Sequence, residues 1–161
     1  MIIDIQGFKG HNNKFLVKEL AILHNENEVQ HFILKAPFDF NKLPLELQEQ
    51  ARWLHQNHHG LSWEGGSVTF HSVKQFLLHN LRNKIVYVKG CEKRNWLLDI
   101  LGNRGKTTAV YDMDDLGCPN LRILKKQDQQ HQQQRRCLNH KGYCALQNVY
   151  LLNNYLNKKN G

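Results

Sequence analysis

Three residues of types that bind soft divalent metals fall within eight positions, as Cys137-x2-His140-x3-Cys144. Thiolate and imidazole donors favour zinc, and three of them leave one corner of a tetrahedral ion to be filled. A closed structural site needs a fourth ligand, and the candidates are Glu19, Cys118, Cys91 and the pair His58-His59. Glu19 has the strongest internal argument: it is the one acid in the apolar run KFLVKELAIL, where a buried carboxylate is costly unless it is paired or bound to a cation. Cys118 comes second, in the turn-like Gly117-Cys118-Pro119. Without a metal, the two thiols would be small buried hydrophobes and the histidine a surface group. Cys91, Cys118, Cys137 and Cys144 could also form two disulfides, but a chain with no export signal and a core of ordinary size needs no such staples.

A second chemistry rests on carboxylates. Asp4 interrupts the first apolar run, Glu92 opens a helical segment, and Asp112, Asp114 and Asp115 follow a strand. Asp4 with the Asp112, Asp114 and Asp115 run could hold Mg2+ or Mn2+ for phosphodiester hydrolysis; the competing reading makes the Asp run a solvated turn and helix start. His55 and His59 stand at i and i+4, a metal-like spacing, but with no acid or cysteine beside them they read better as imidazoles satisfying a helix end. The second half of the chain is basic, through Lys84, Lys89, Lys93, Arg94, Arg104, Lys106, Lys125, Lys126, Arg135 and Arg136, with Tyr87, Trp96 and Tyr111 interleaved. Charges that track phosphates and rings that stack on bases suit single-stranded nucleic acid; Lys89, Lys93, Arg94, Arg135 and Arg136 are the expected contacts. Tyr87 and Trp96, within apolar runs, suit a core better.

The elements that must position these residues follow from periodicity. MIIDIQGF, KFLVKELAIL and EVQHFILKA, separated by Gly, Asn and Glu-rich turns, read as three antiparallel strands. Leu43, Leu47, Ala51 and Leu54 recur at helical spacing up to Gly60, and residues 72–81 look helical as well. KIVYVKG is a short buried strand, residues 92–101 a helix, and 107–111 another buried strand. KKQDQQHQQQRR, about 125–136, has no apolar face and is expected as an exposed Gln-rich basic loop. The last helix, about 142–158, carries an apolar stripe of Ala145, Leu146, Val149, Leu152 and Leu156. The expectation is one α/β domain spanning 1–161, ordered βββαβαβα, with a mixed sheet and helices on both faces. That is the element order of the ribonuclease H-like fold.

Composition sets the bounds. With 161 residues and 40% hydrophobic content the chain fits a single domain and is not disordered throughout. Its apolar runs are too short to span a bilayer and its N-terminus lacks a signal-peptide layout, so the expectation is an intracellular protein, cytoplasmic or nuclear, with no membrane partner. A net charge of +8 at pH 7 suggests a polyanion partner, although small domains also carry such charge for solubility.

Asp4-x-Gln6 on the first strand and His140-Lys-Gly-Tyr-Cys144-Ala-Leu-Gln147-Asn148 on the last helix resemble the DEDD exonuclease family of the ribonuclease H-like superfamily. That resemblance implies a two-metal centre in which Asp4 matches the first acid and Glu92 falls near the middle one. Gln6 stands for its partner, Cys144 for the last-helix histidine, and Gln147 or Asn148 for the final acid. Amides cannot hold Mg2+, so the hydrolytic chemistry looks lost. Within the superfamily the chain is similar to the Maelstrom domain of the piRNA pathway, a degenerate nuclease fold with a Glu-Cys-His-Cys zinc site. The resemblance implies Glu19, Cys137, His140 and Cys144 as the ligands of a structural Zn2+, and RNA or single-stranded nucleic acid as the partner. The other two readings are an active Mg2+- or Mn2+-dependent nuclease using Asp4, Glu92, Asp112 and Asp114, and a protein-interaction module on a dead nuclease fold.

Overall fold

The first strand, β1 (Ile2–Lys9), lies at the centre of the sheet rather than at its edge. In the computed structural model, which describes residues 1–128 and 135–161, it is flanked on one side by β2 (Phe15–Asn25) and then β3 (Glu28–Ile33), all antiparallel. On its other side lie β4 (Ile85–Val88) and β5 (Ala109–Asp112), both parallel to it, giving the order β3-β2-β1-β4-β5. The hairpin strands are joined by short polar turns. The parallel strands need helical crossovers, and the chain supplies them.

Alternation along β1 divides the molecule. Ile3 and Ile5 join Leu20, Ile22, Val86 and Val88 on one face, packed against Val73, Leu77 and Leu81 from the α2 (Phe70–Asn80) region and Trp96, Leu97 and Ile100 of α3 (Cys91–Leu101). Ile2, Ala21 and Leu23 face the other way, against Leu124 of α4 (Leu121–Gln127) and Ala145, Val149 and Leu152 of α5 (Ala145–Asn160). Leu77 and Leu97 are completely buried, and truncating either to Ala should cost about 2–5 kcal/mol. A smaller cluster of Phe8, Leu43, Ala51 and Trp63 seats α1 (Leu45–Asn57) beside the far end of β1.

This is a mixed α/β architecture with helices on both faces; both helices expected between the third and fourth strands form, so the condensed order βββαβαβα undercounts them, and one helix is unexpected. Two helices, α1 and α2, lie between β3 and β4, and a short α4 precedes α5. The side chain of Asn120 accepts from Ile123 N–H and so starts α4, whose buried Leu124 anchors it. Lys125 and Lys126, expected in the exposed loop 125–136, are therefore the last turn of a helix; residues 129–134 of that loop lie outside the described residues. The last helix starts at Ala145, because 137–144 is irregular backbone. Among the described residues, no helix is long and apolar enough to cross a membrane.

One irregularity in the sheet matters for the site. The β1–β2 register runs Gln6↔Glu19 and then Gly7↔Val17, so Lys18 is an extra residue in a bulge. A Cβ on Gly7 would stand 2.0 Å from the Leu16 carbonyl oxygen, so only glycine allows the approach. Across the bulge the parity of β2 changes: Val17 shares a face with Leu20 and Ile22, while Glu19 is left on the side of Ala21 and Leu23, towards α5. Lys18 is buried too, its ammonium donating to Leu34 O at 2.6 Å and Gly65 O at 3.0 Å.

Candidate metal centre

Glu19 meets the loop before α5. Its Oε2 lies 3.4 Å from Cys137 Sγ, 2.7 Å from His140 Nε2 and 3.8 Å from Cys144 Sγ, and the two sulfurs are 3.6 Å apart. All four donor atoms lie within 4.8 Å of one another, and all four residues are buried. A tetrahedral zinc with bonds of about 2.3 Å to sulfur and about 2.0 Å to oxygen or nitrogen requires S–S edges of about 3.8 Å and S–O edges of about 3.5 Å. The sulfur edges are close to that spacing, whereas the Glu19–His140 contact at 2.7 Å is a direct hydrogen bond, shorter than the edge of about 3.3 Å that oxygen and nitrogen on one ion would span; the donor set is compatible with zinc. Among the described residues it is the one such group of three or more His, Cys, Asp or Glu side chains.

The surroundings orient the ligands. His140 Nδ1–H donates to the His59 carbonyl oxygen, which fixes the tautomer and leaves Nε2 for an ion. Glu19 Oε1 accepts from Ala145 N–H at 2.6 Å, so the carboxylate sits at the positive end of the 16-residue α5. Cys137 N–H donates to Cys144 Sγ at 3.4 Å. The Arg136 guanidinium donates to His140 O and Gly142 O, each at 2.9 Å, and clamps the loop from outside. Tyr143 N–H donates to His58 O at 2.9 Å, and a Cβ on Gly142 would lie 2.0 Å from that same oxygen.

Without an ion these groups share protons. Burial raises the Glu19 carboxyl, but hydrogen bonds with His140, His31 and Ala145 N–H outweigh it and hold it at about 2. Burial disfavours the imidazolium of His140, yet its bonds with Cys144 and Glu19 carry it up to about 10. The Cys137 thiol is lowered to about 7, chiefly by its bond with Cys144, whereas that bond and burial push Cys144 up to about 12. At pH 7 the two thiols and the imidazolium hold the protons that a divalent cation would displace.

The other expected ligands lie elsewhere. Cys118 is buried with its Sγ 3.5 Å from Pro119 O, and Cys91 is exposed at the start of α3. His59 leaves the helix, since α1 ends at Asn57: its Nε2–H donates to Gly7 O at 2.8 Å and its Nδ1 accepts from Leu61 N–H at 3.0 Å. Burial lowers it to about 4, so the ring is neutral. His55 Nδ1 lies 2.8 Å from Leu61 O, so the i, i+4 pair does not converge.

The carboxylates expected for Mg2+ or Mn2+ do not gather. Asp4 is buried and held by the Lys93 ammonium on Oδ1 and the Asn148 amide on Oδ2 at 2.8 Å, with Gln6 Nε2 3.5 Å away. Glu92 is exposed and pairs with Lys9 at 2.7 Å. Asp112 accepts from Gly90 N–H and Asp114 N–H, a turn brace, and Asp114 pairs with Lys89. The five cations expected to touch phosphates also have internal partners: Lys89 and Lys93 as above, Arg94 Nε–H on Val110 O at 3.2 Å, Arg135 over the Tyr150 ring and Arg136 on the metal loop. Tyr87 stacks against Tyr111, whose ring is half-exposed on the edge strand, and Trp96 is core.

Sequence reasoning missed His31 and Arg136 as supports. His31 Nε2 lies 2.8 Å from Glu19 Oε2; its register opposite Ala21 puts it on the Glu19 face, a placement that needs the strand pairing. No protein-family model matches this chain, and no curated protein matches its sequence.

Proposed function

We propose that the chain is a ribonuclease H-like domain of exonuclease type, similar to the Maelstrom domain, which is stabilised by zinc, performs no hydrolysis and binds RNA or single-stranded nucleic acid. One observation carries the reading: Glu19 is committed to Cys137, His140 and Cys144, while the neighbouring buried acid, Asp4, already has an ammonium against it. Two-metal phosphodiester hydrolysis needs several carboxylates converging on two hard cations. On the α5 side of the sheet, β1 offers Asp4 and the amide of Gln6, and α5 offers the amides of Gln147 and Asn148. Lys93 supplies there the positive charge that a metal would otherwise bring.

Zinc on four protein ligands has no open position for a water to activate, so its contribution is to folding. It would tie β2 to the entry of α5, joining elements more than a hundred residues apart in sequence. The net charge of +8 supports a polyanion partner. The test is to incubate the zinc-loaded protein with single-stranded RNA and 5 mM Mg2+ or Mn2+, following both binding and strand length. The reading expects salt-sensitive binding and no cleavage above a buffer control. Cleavage that is abolished in Asp4→Asn would overturn it in favour of an active nuclease.

A further inference from the structure

The positive charge that could meet a polyanion is not where a nuclease fold usually presents its ligands. The cleft at the carboxyl ends of the parallel strands, about 360 Å³ and lined by Lys9, Lys89, Lys93, His58 and Tyr143, is the default place for a ligand. Each of its lysines is neutralised from within: Lys9 by Glu92, Lys89 by Asp114 and Lys93 by Asp4. Burial and the neighbouring Lys93 lower the pKa of His58, against a smaller opposing pull from Asp4, and so disfavour its imidazolium. The cleft therefore has little net attraction for phosphate.

The opposite end of the sheet differs. A depression of about 530 Å³ lies between α2 and the 3-10 segment Gly102–Thr107, beyond the amino ends of β4 and β5. Arg82, Arg104, Lys106 and His79 line it, all four exposed, and no carboxylate does. None of the four side chains makes a hydrogen bond or ion pair among the described residues, in contrast to the cleft lysines. Basic residues near a helix end can serve only to offset its dipole, and α2 and α3 both end near this place. Two helix ends amount to about one negative charge in total, against three formal positive charges. Roughly two charges remain uncompensated.

We infer that this depression is a phosphate-backbone site for single-stranded nucleic acid, with Arg82, Arg104 and Lys106 as its principal contacts. The inference rests on the nucleic-acid reading above and locates it on the face away from the former catalytic cleft. A protein partner fits the lining less well: apart from one leucine it is polar, whereas a protein interface is built around a buried apolar centre. Guanidinium forks and an ammonium match phosphate oxygens at spacing that a flexible strand can adopt.

The test is fluorescence anisotropy of a labelled 20-nucleotide single-stranded RNA on the full zinc-loaded chain, between 50 and 300 mM KCl. The variants are Arg82→Ala/Arg104→Ala/Lys106→Ala and the charge-conserving Arg82→Lys/Arg104→Lys. Three phosphate contacts on a single strand contribute about 2 to the slope of log K against log salt, so the triple variant should bind about tenfold or more weakly at 50 mM with a slope shallower by about 2. The lysine variant should keep the slope. Ultraviolet cross-linking of the wild type reads the same site without mutation, and the peptides expected to carry RNA are those of residues 79–82 and 103–107. If the wild type binds while the triple variant keeps its affinity and slope, or cross-links fall only on cleft peptides, the depression is not the site although the nucleic-acid reading stands. If the wild type shows no binding at 50 mM KCl, the nucleic-acid reading itself fails and the inference with it.

Discussion

Replacing Lys93 by methionine keeps most of the length of the side chain and removes only the charge. Its partner, Asp4, is fully buried, whereas the Lys93 side chain is 21% exposed. The variant leaves a carboxylate with the Asn148 amide at 2.8 Å and a distant contact from Gln6 at 3.5 Å. Removing one member of a buried ion pair costs about 3–5 kcal/mol, and the partial exposure of Lys93 places the expectation at the lower end, about 3 kcal/mol. For a chain of this length 1 kcal/mol moves Tm by about 2–4 °C, so a fall of about 6–12 °C is expected. Asp4→Asn in the same background removes the orphaned charge, and the double variant should regain about 2 kcal/mol of the loss. The assay is urea unfolding of the wild type, both single variants and the double variant, all loaded with zinc. A cost below about 1 kcal/mol for Lys93→Met, or simple additivity in the double variant, refutes the argument that Lys93 fills a cation position.

Three further outcomes follow from the metal loop. Arg136→Ala releases the carbonyls of His140 and Gly142, and should weaken zinc affinity by about 10–100-fold in a competition with a chromogenic chelator. Binding of zinc should displace about 2.5 protons at pH 7, because metal-free His140 titrates at about 10, Cys144 at about 12 and Cys137 at about 7. Since the metal competes with protons, affinity rises with pH and zinc leaves first on acidification; calorimetry in two buffers of different ionisation enthalpy reads the proton count, and a value below one contradicts the arrangement. Gly142→Ala forces a Cβ against the His58 carbonyl at 2.0 Å and should cost about 2–4 kcal/mol in thermal or urea unfolding, with an unchanged midpoint as the adverse result.

The cluster of four candidate ligands is legible in the sequence because most of it is local. Cys137, His140 and Cys144 are adjacent in the chain, and Glu19 betrays itself as the one acid in an apolar strand. The continuous apolar runs likewise place β1, β2 and β4, which the sheet buries on both sides or nearly so, and helical periodicity places α3 and α5, each of which buries one stripe. Asp4 and Lys93 are different: they are 89 residues apart, and nothing in either neighbourhood signals the other, so Lys93 reads as a phosphate contact until the sheet order is known. Composition misleads at α4, where Lys125 and Lys126 belong to a glutamine-rich tract and read as loop. Asn120 before Leu121 and Leu124 is the cap signal that places the helix. His59 shows a further limit, because its backbone oxygen rather than its ring supports the site, and sequence reports only side chains.

The central claim is that Glu19, Cys137, His140 and Cys144 hold one zinc ion that the fold needs. Elemental analysis of protein purified without added metal, set beside Cys137→Ser and the control Cys118→Ser, tests it directly. The account predicts one zinc per chain in the wild type and in Cys118→Ser, and close to none in Cys137→Ser. A wild type free of zinc, or a Cys137→Ser variant that retains it in full, contradicts the four-ligand site.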